Sequence, residues 1–137
     1  MTSRFEMDLD RYVQAIYGKK VLSLVVLDIR GKTSFADAYL ICSGRSHRQV
    51  SAIAEHVRRD LKKDTIKPLS VEGEKEGQWV ILDYGHVVIH VFLDPVRMFY
   101  DLEGLWADAP RVETPAMRAE KQKTAARWDD IETGDFS

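Results

Sequence analysis

Residues 79–95 read WVILDYGHVVIHVFLDP, and the fold turns on whether this stretch is strand or helix. Trp79–Asp83 and His86–Leu93 are both rich in β-branched residues, and Tyr84-Gly85 between them is turn chemistry, so the spacing predicts a β-hairpin. Asp94-Pro95 then predicts a helix start, with an acid at the N-cap and proline at the first helical position. Read as a helix, His86 and His90 would sit four apart on one face, the spacing that brings two imidazoles to one metal. Read as a strand, they share a face but stand about 13 Å apart, at about 3.3 Å per residue. A metal holds its ligand nitrogens about 2 Å away, so the strand reading removes the metal site. Each histidine becomes a half-buried, locally hydrogen-bonded sheet residue.

Outward from the hairpin, the same rules order the rest of the chain. Upstream, EGEKEG (72–77) is a charged, glycine-bounded turn, preceded by a short strand over Pro68–Val71. Before it, Val50, Ile53, Ala54, Val57 and Leu61 form one apolar stripe of a long helix, with Ser46 and Gln49 at capping-box spacing. Ala38–Ser43 and the nearly all-apolar Leu24–Ile29 are strands, joined by the connector RGKTSFAD. Thr2–Tyr17 is a first helix, started by Ser3 and Glu6 and ended by Gly18. Downstream, Met98, Leu102, Leu105 and Trp106 mark the apolar face of the helix begun at Asp94. The expected fold class is therefore α/β (α+β): a single mixed sheet of about five strands with helices packed on it. Residues 1–108 form the domain. Residues 109–137 form a polar tail, partly helical from Ala116 to Trp128, that lies against its own domain or a neighbouring copy. Trp128 is a candidate anchor on that copy.

The bulk numbers exclude several classes. At 137 residues the chain has room for one modest core. A net charge of -2 argues against broad nucleic-acid binding but leaves room for a local patch. A single cysteine, Cys42, excludes a disulfide framework and a cysteine zinc site. The opening residues lack a secretory apolar run, and no stretch reaches the roughly 18 apolar residues of a membrane span. The expectation is a cytoplasmic protein.

The remaining chemical candidates are weak. Cys42 lies inside an apolar strand, where cysteine behaves as a small buried hydrophobe. CSGRS before the long helix offers free N–H groups but lacks a P-loop, and no close pair of acids follows it, as metal-dependent nucleotidyl transfer requires. Asp28, Asp37 and Asp83 could still meet in space, which keeps a magnesium-dependent enzyme as the rival reading. Arg48, Arg58, Arg59, Lys62 and Lys63 give the long helix a basic face suited to RNA phosphate; Glu55, Asp60 and Asp64 dilute it, and a solvated face explains it. Trp79 beside a charged turn, and Trp106 near Tyr100, Asp101 and Glu103, are aromatic–acidic groupings of the kind that interfaces with basic partners use. Core aromatics are the alternative.

As a set, VVLDIRGKTSFADAYLICSG, SHRQVSAIAEHV, VEGEKEGQWVILDYGHVVIHVF and RMFYDLEGLWADAP resemble the ribosomal silencing factor, or Iojap-like, family over Leu24–Asp108. The resemblance implies a fold similar to the nucleotidyltransferase fold but no enzyme activity, no cofactor and no metal. It implies binding to the large ribosomal subunit at its intersubunit face, through the fourteenth large-subunit ribosomal protein. Docking of the small subunit would be obstructed there, lowering translation when nutrients run short. It also implies a homodimer when free. Direct RNA contact, through the basic face of the long helix, is a secondary expectation. Carried over by position, the interface tryptophan is Trp79, with Asp83 and Tyr84 in the same surface motif and Tyr100, Glu103 and Trp106 as the aromatic-acidic pattern. Glu72 and Glu74 suit a basic ribosomal protein by charge. His86 stands where many relatives carry an acid, which would make binding mildly pH-dependent. Many relatives stop soon after the counterpart of Trp106.

Overall fold

The computed structural model describes residues 2–134, with side chains through residue 127. In chain order the elements are α1 (Arg4–Ile16), β1 (Leu22–Asp28), β2 (Ala38–Gly44), α2 (His47–Lys62), β3 (Ser70–Glu72), β4 (Trp79–Asp83), β5 (Val87–Leu93), α3 (Asp94–Tyr100), α4 (Leu102–Leu105) and α5 (Pro115–Gly134). The five strands form one sheet in the order β1-β2-β5-β4-β3. β2 and β5 are parallel and every other pair is antiparallel, so the sheet is mixed, as expected. Both capping serines act as read: Ser3 accepts from the Glu6 N–H and Ser46 from the Gln49 N–H, each at 3.1 Å. The reciprocal arm of the second box reaches one residue further, since the Gln49 side chain accepts from the Arg45 N–H at 2.6 Å.

The hairpin forms, but one step away from the predicted register. Trp79 pairs with Phe92, Ile81 with His90 and Asp83 with Val88, and the Tyr84 N–H donates to the Val87 carbonyl at 2.8 Å. The two loop residues are thus Gly85-His86, not Tyr84-Gly85. The cause is local. Gly85 takes φ +90°, the conformation that hairpin turns ask of their first central residue, and its N–H donates to the Asp83 carboxylate at 2.8 Å. His86 therefore lies outside β5 and packs against the Tyr12 ring. It does not share a face with His90.

Alternation divides the sheet's side chains between two faces. Val26, Leu40, Cys42, Val80, Leu82, Ile89 and Val91 pack under α1 and α2 in the main core. Val25, Leu27, Ile41, Val88 and Phe92 point the other way, with Val96, Leu102 and Trp106 against them. Burial pushes the Cys42 thiol up to about 12, so it stays protonated and unreactive near neutral pH.

The helix begun at Asp94 differs from expectation at both ends. Leu93 is its N-cap and Asp94 its first helical residue; the Asp94 carboxylate instead accepts from the Ser43 hydroxyl at 2.9 Å. The helix stops at Asp101, which takes a left-handed conformation (φ 46°, ψ 53°) and caps α4 by accepting from the Gly104 N–H. Asp is among the few residues that adopt this conformation at low cost. The break splits the expected apolar stripe: Leu102 and Trp106 turn inward, while Met98 and Leu105 are 76% and 78% exposed.

Beyond Asp108 the chain runs along the outer edge of β1. The Asp28 N–H donates to the Pro110 carbonyl at 2.8 Å, and the Val112 N–H to the Val26 carbonyl at 2.9 Å. This covers backbone groups that an edge strand would leave open. The Asp10 carboxylate of α1 then accepts from the Ala116 N–H at 2.9 Å and caps α5 from across the fold. Ala109 and Met117 are buried. The Trp128 side chain lies outside the described residues. Among the described residues, no helix is long and apolar enough to cross a membrane.

Candidate functional site

The face of the sheet away from α1 and α2 carries a connected set of aromatic rings. Trp79 lies on it as a direct consequence of the hairpin register. Its indole stacks on Phe92, centroids 4.7 Å apart, and leans on Tyr100 at 5.0 Å. Its Nε1–H donates to His90 Nδ1 at 3.1 Å. His90 in turn meets Tyr39 edge-on at 4.8 Å, and Tyr39 meets Trp106 at 5.7 Å. Each such pair adds about 0.5–1.5 kcal/mol beyond area burial, so Trp79 is held in one orientation while part of it stays exposed. Phe99, 83% exposed and packed edge-on against Tyr100, extends the set into solvent.

His90 is the orienting group. Accepting at Nδ1 places the neutral ring's proton on Nε2, which is buried with no partner among the described residues. Burial pulls its pKa down to about 4, against about 6.5 in the unfolded chain. Between those values the unfolded state binds the extra proton, so this site's contribution to stability falls as pH falls from 6.5 towards 4. The slope is about 1.4 kcal/mol per pH unit and the total about 3 kcal/mol. The depressed carboxylates Asp28 and Asp60, each held down first by an arginine hydrogen bond, lose their contribution only below their ordinary range, so the two windows separate. Urea titrations at intervals from pH 7 to 4 should show this decline, and His90→Gln should flatten it. An equal slope in the variant would contradict the assignment.

The turn before Trp79 is fixed by glycine. Gly73 and Gly77 have φ +79° and +67°, and the Gly77 N–H donates to the Gly73 carbonyl at 3.1 Å. A Cβ on Gly73 would overlap the Trp79 carbonyl oxygen. Gly31 has a similar φ of +77° but open space around it. Gly31→Ala should therefore cost about 1 kcal/mol for the backbone alone, and Gly73→Ala about 2 kcal/mol or more. Equal urea midpoints for the two variants would show that the close approach to Trp79 carries no energy.

The predicted site residues fall into two groups. Trp79, Asp83, Glu72, Tyr100 and Trp106 come together on this face; Glu72 pairs with Ile81 and Asp83 lies two residues further along β4. Among the described residues neither Asp83 nor Glu72 has a salt-bridge partner. Glu103 is close by but committed to Arg97, at 2.7 Å. Tyr84 and Glu74 are on the other side. Tyr84 alternates with Val80 and Leu82, is 7% exposed and packs edge-on against Tyr12. Glu74 is paired with Arg58 of α2 at 2.7 Å. Phe92, His90, Tyr39 and Phe99 belong to the site and were not singled out for it. The cross-strand register would have named the first two, because residues opposite Trp79 and Ile81 share their face. Among the described residues no group of three acids, histidines or cysteines is placed to hold a metal. Asp28 is taken up by Arg30 at 2.8 Å.

The profile described as "Ribosomal silencing factor during starvation" matches residues 2–135, including the segment after Trp106. The chain belongs to the ribosomal silencing factor family. It is 42% identical over 101 residues to the ribosomal silencing factor of Halalkalibacterium halodurans, covering 74% of this chain and 86% of that one. A crystal structure from Bacillus halodurans superposes with a TM-score of 0.70 at 37% identity, covering 79% of this chain and 98% of that one. A more distant relative is the mouse mitochondrial assembly of ribosomal large subunit protein 1, 27% identical over 104 residues, 74% of this chain and 46% of that one.

Proposed function

We propose that this silencing-factor chain binds the large ribosomal subunit at its intersubunit face and bars the small subunit from docking, so that translation falls when nutrients are limiting. It acts in the cytoplasm by occupying space and makes or breaks no bond. The observation that carries the reading is the Trp79 surface. An aromatic anchor is locked in place by Phe92 and His90, rimmed by the exposed rings of Tyr100 and Phe99, and flanked by the acids Asp83 and Glu72, which have no salt-bridge partner among the described residues. Rigid aromatics at the centre of a patch supply most of the affinity in protein interfaces, and flanking acids steer a basic partner. The proposed partner is the fourteenth large-subunit ribosomal protein. The same apolar rings would be covered by a second copy when the protein is free, giving a homodimer. The relative named for assembly of the mitochondrial large subunit supports the choice of subunit. The test is a pull-down with separated ribosomal subunits at increasing salt. Retention of the large subunit alone is expected, together with loss of subunit joining on addition of the protein. Retention of the small subunit, or joining unaffected at saturation, would overturn the reading.

A further inference from the structure

Three of the five cations that the sequence placed on the basic face of α2 are neutralised, while Arg48 and Lys62 have no salt bridge among the described residues. On the outer side of α2, Arg58 is paired with Glu74, Arg59 with Glu55 at 2.6 Å and Lys63 with Asp60 at 3.9 Å. The less neutralised positive charge lies elsewhere, in a cleft of about 770 Å³ at the β1 edge. The loop between α1 and β1 supplies Lys19 and Lys20, the turn before α2 supplies Arg45, and α5 supplies Lys123 and Arg127, against one acid among the described residues, Glu120. Among the described residues none of these five cations makes an ion pair. Glu120, Lys123 and Arg127 follow at steps of three and four, so they stand on one side of α5. The cleft floor is held by Gln49, whose amide bridges the Lys20 carbonyl at 3.1 Å and the Arg45 N–H at 2.6 Å.

We propose that this cleft binds the phosphate backbone of RNA. A local excess of five cations over one acid on a chain of net charge -2 is the electrostatic footprint of a polyanion rather than of the whole surface. The charges come from three separate segments of the chain. Lys123 and Arg127 are about 6 Å apart along the helix, so they reach successive phosphates better than one small anion. The cleft is also separate from the protein-binding surface: β1 and β4 are three strand spacings apart, about 14 Å. On the ribosomal reading above, the RNA is ribosomal, but the binding itself does not depend on that reading.

The experiment is fluorescence anisotropy of a labelled short RNA hairpin with the full chain, between about 50 and 200 mM salt. Binding that weakens steeply with salt is expected. Lys123→Glu with Arg127→Glu, and separately Lys19→Glu with Lys20→Glu, should each lower affinity tenfold or more and reduce the salt slope by about 1.5. These side chains are exposed, and circular dichroism verifies the fold of each variant. Trp79→Ala should leave RNA affinity unchanged, so loss of subunit binding in that variant and loss of RNA binding in the charge reversals report on different surfaces. No binding at low salt, equal affinity in the charge reversals, or displacement by inorganic phosphate or polyglutamate as readily as by unlabelled RNA would overturn the proposal.

Discussion

Arg97→Met lowers the free energy of unfolding by about 3 kcal/mol, read as a drop in the urea midpoint. Arg97 is the most committed charge in the structure, 7% exposed. Its Nε donates to Glu103 at 2.7 Å, and its Nη1 donates to the carbonyls of Ser23 at 2.7 Å and Leu22 at 3.3 Å and to the Ser43 hydroxyl at 3.1 Å. The two carbonyls belong to the irregular start of β1, where the register shifts and Ser23 takes φ 45°. Such a bulge leaves backbone groups without a ladder partner, and Arg97 supplies one. Methionine keeps the length of the stem but withdraws every donor. Breaking a buried pair from one side typically costs 3–5 kcal/mol. The lower end applies here because the Glu103 side chain keeps 22% of its exposure and recovers water. Arg97→Lys retains the charge but lacks the planar fork needed to serve Glu103 and the bulge together, and should lose about half as much. A change below about 1 kcal/mol in Arg97→Met would show that the bulge carbonyls find other donors.

Trp79→Ala reduces retention of large subunits by roughly thirty-fold. Truncating a central interface tryptophan commonly costs 2 kcal/mol or more, and about 1.4 kcal/mol is a factor of ten. The substitution also uncovers Phe92 and leaves His90 Nδ1 without its donor, so stability falls as well and the comparison needs a second variant. Trp79→Phe keeps a ring on Phe92 and removes the N–H together with the second ring of the indole. It should cost about 1–3 kcal/mol of stability for the orphaned imidazole nitrogen while holding most of the affinity. Unchanged co-sedimentation of Trp79→Ala would exclude this face as the docking surface. Equal losses for alanine and phenylalanine would point to misplacement of the surface rather than loss of the anchor.

The fold was legible wherever a residue's role depends on its near neighbours. Ser3 and Ser46 cap because the third residue on supplies an N–H, and the alternation through Trp79–Asp83 makes a strand whatever surrounds it. The hairpin register was not legible, because Tyr84-Gly85 and Gly85-His86 both fit the turn; the Asp83 carboxylate on the Gly85 N–H decides between them. The break at Asp101 was hidden for a similar reason. Met98, Leu102 and Leu105 continue a helical period across it, while the break lets Glu103 reach Arg97. In the site, Trp79 and Tyr100 stood out by their acidic neighbours and again through the family resemblance, and the structure adds what holds them. The placement of Tyr84 was within reach, since its alternation with Val80 and Leu82 puts it under the helices. Docking of residues 109–117 left little trace in sequence because their partner is a strand edge. Backbone hydrogen bonds from Asp28 and to Val26 demand no side-chain pattern.

The pairing of residues 110–112 with β1, and of Ala116 with Asp10, also sets an order of events during synthesis. The hydrogen bond between Asp10 and Ala116 spans 106 residues, so α1 and the whole sheet are made before their last partner exists. Domains start to fold while the chain is still being extended. The nascent sheet therefore waits with the outer edge of β1 unpaired, an open template for another strand, until the final segment emerges and closes it. A chain terminated at Asp108 would keep that edge permanently. It should form assemblies beyond a dimer at concentrations where the full chain does not, as sedimentation velocity would show.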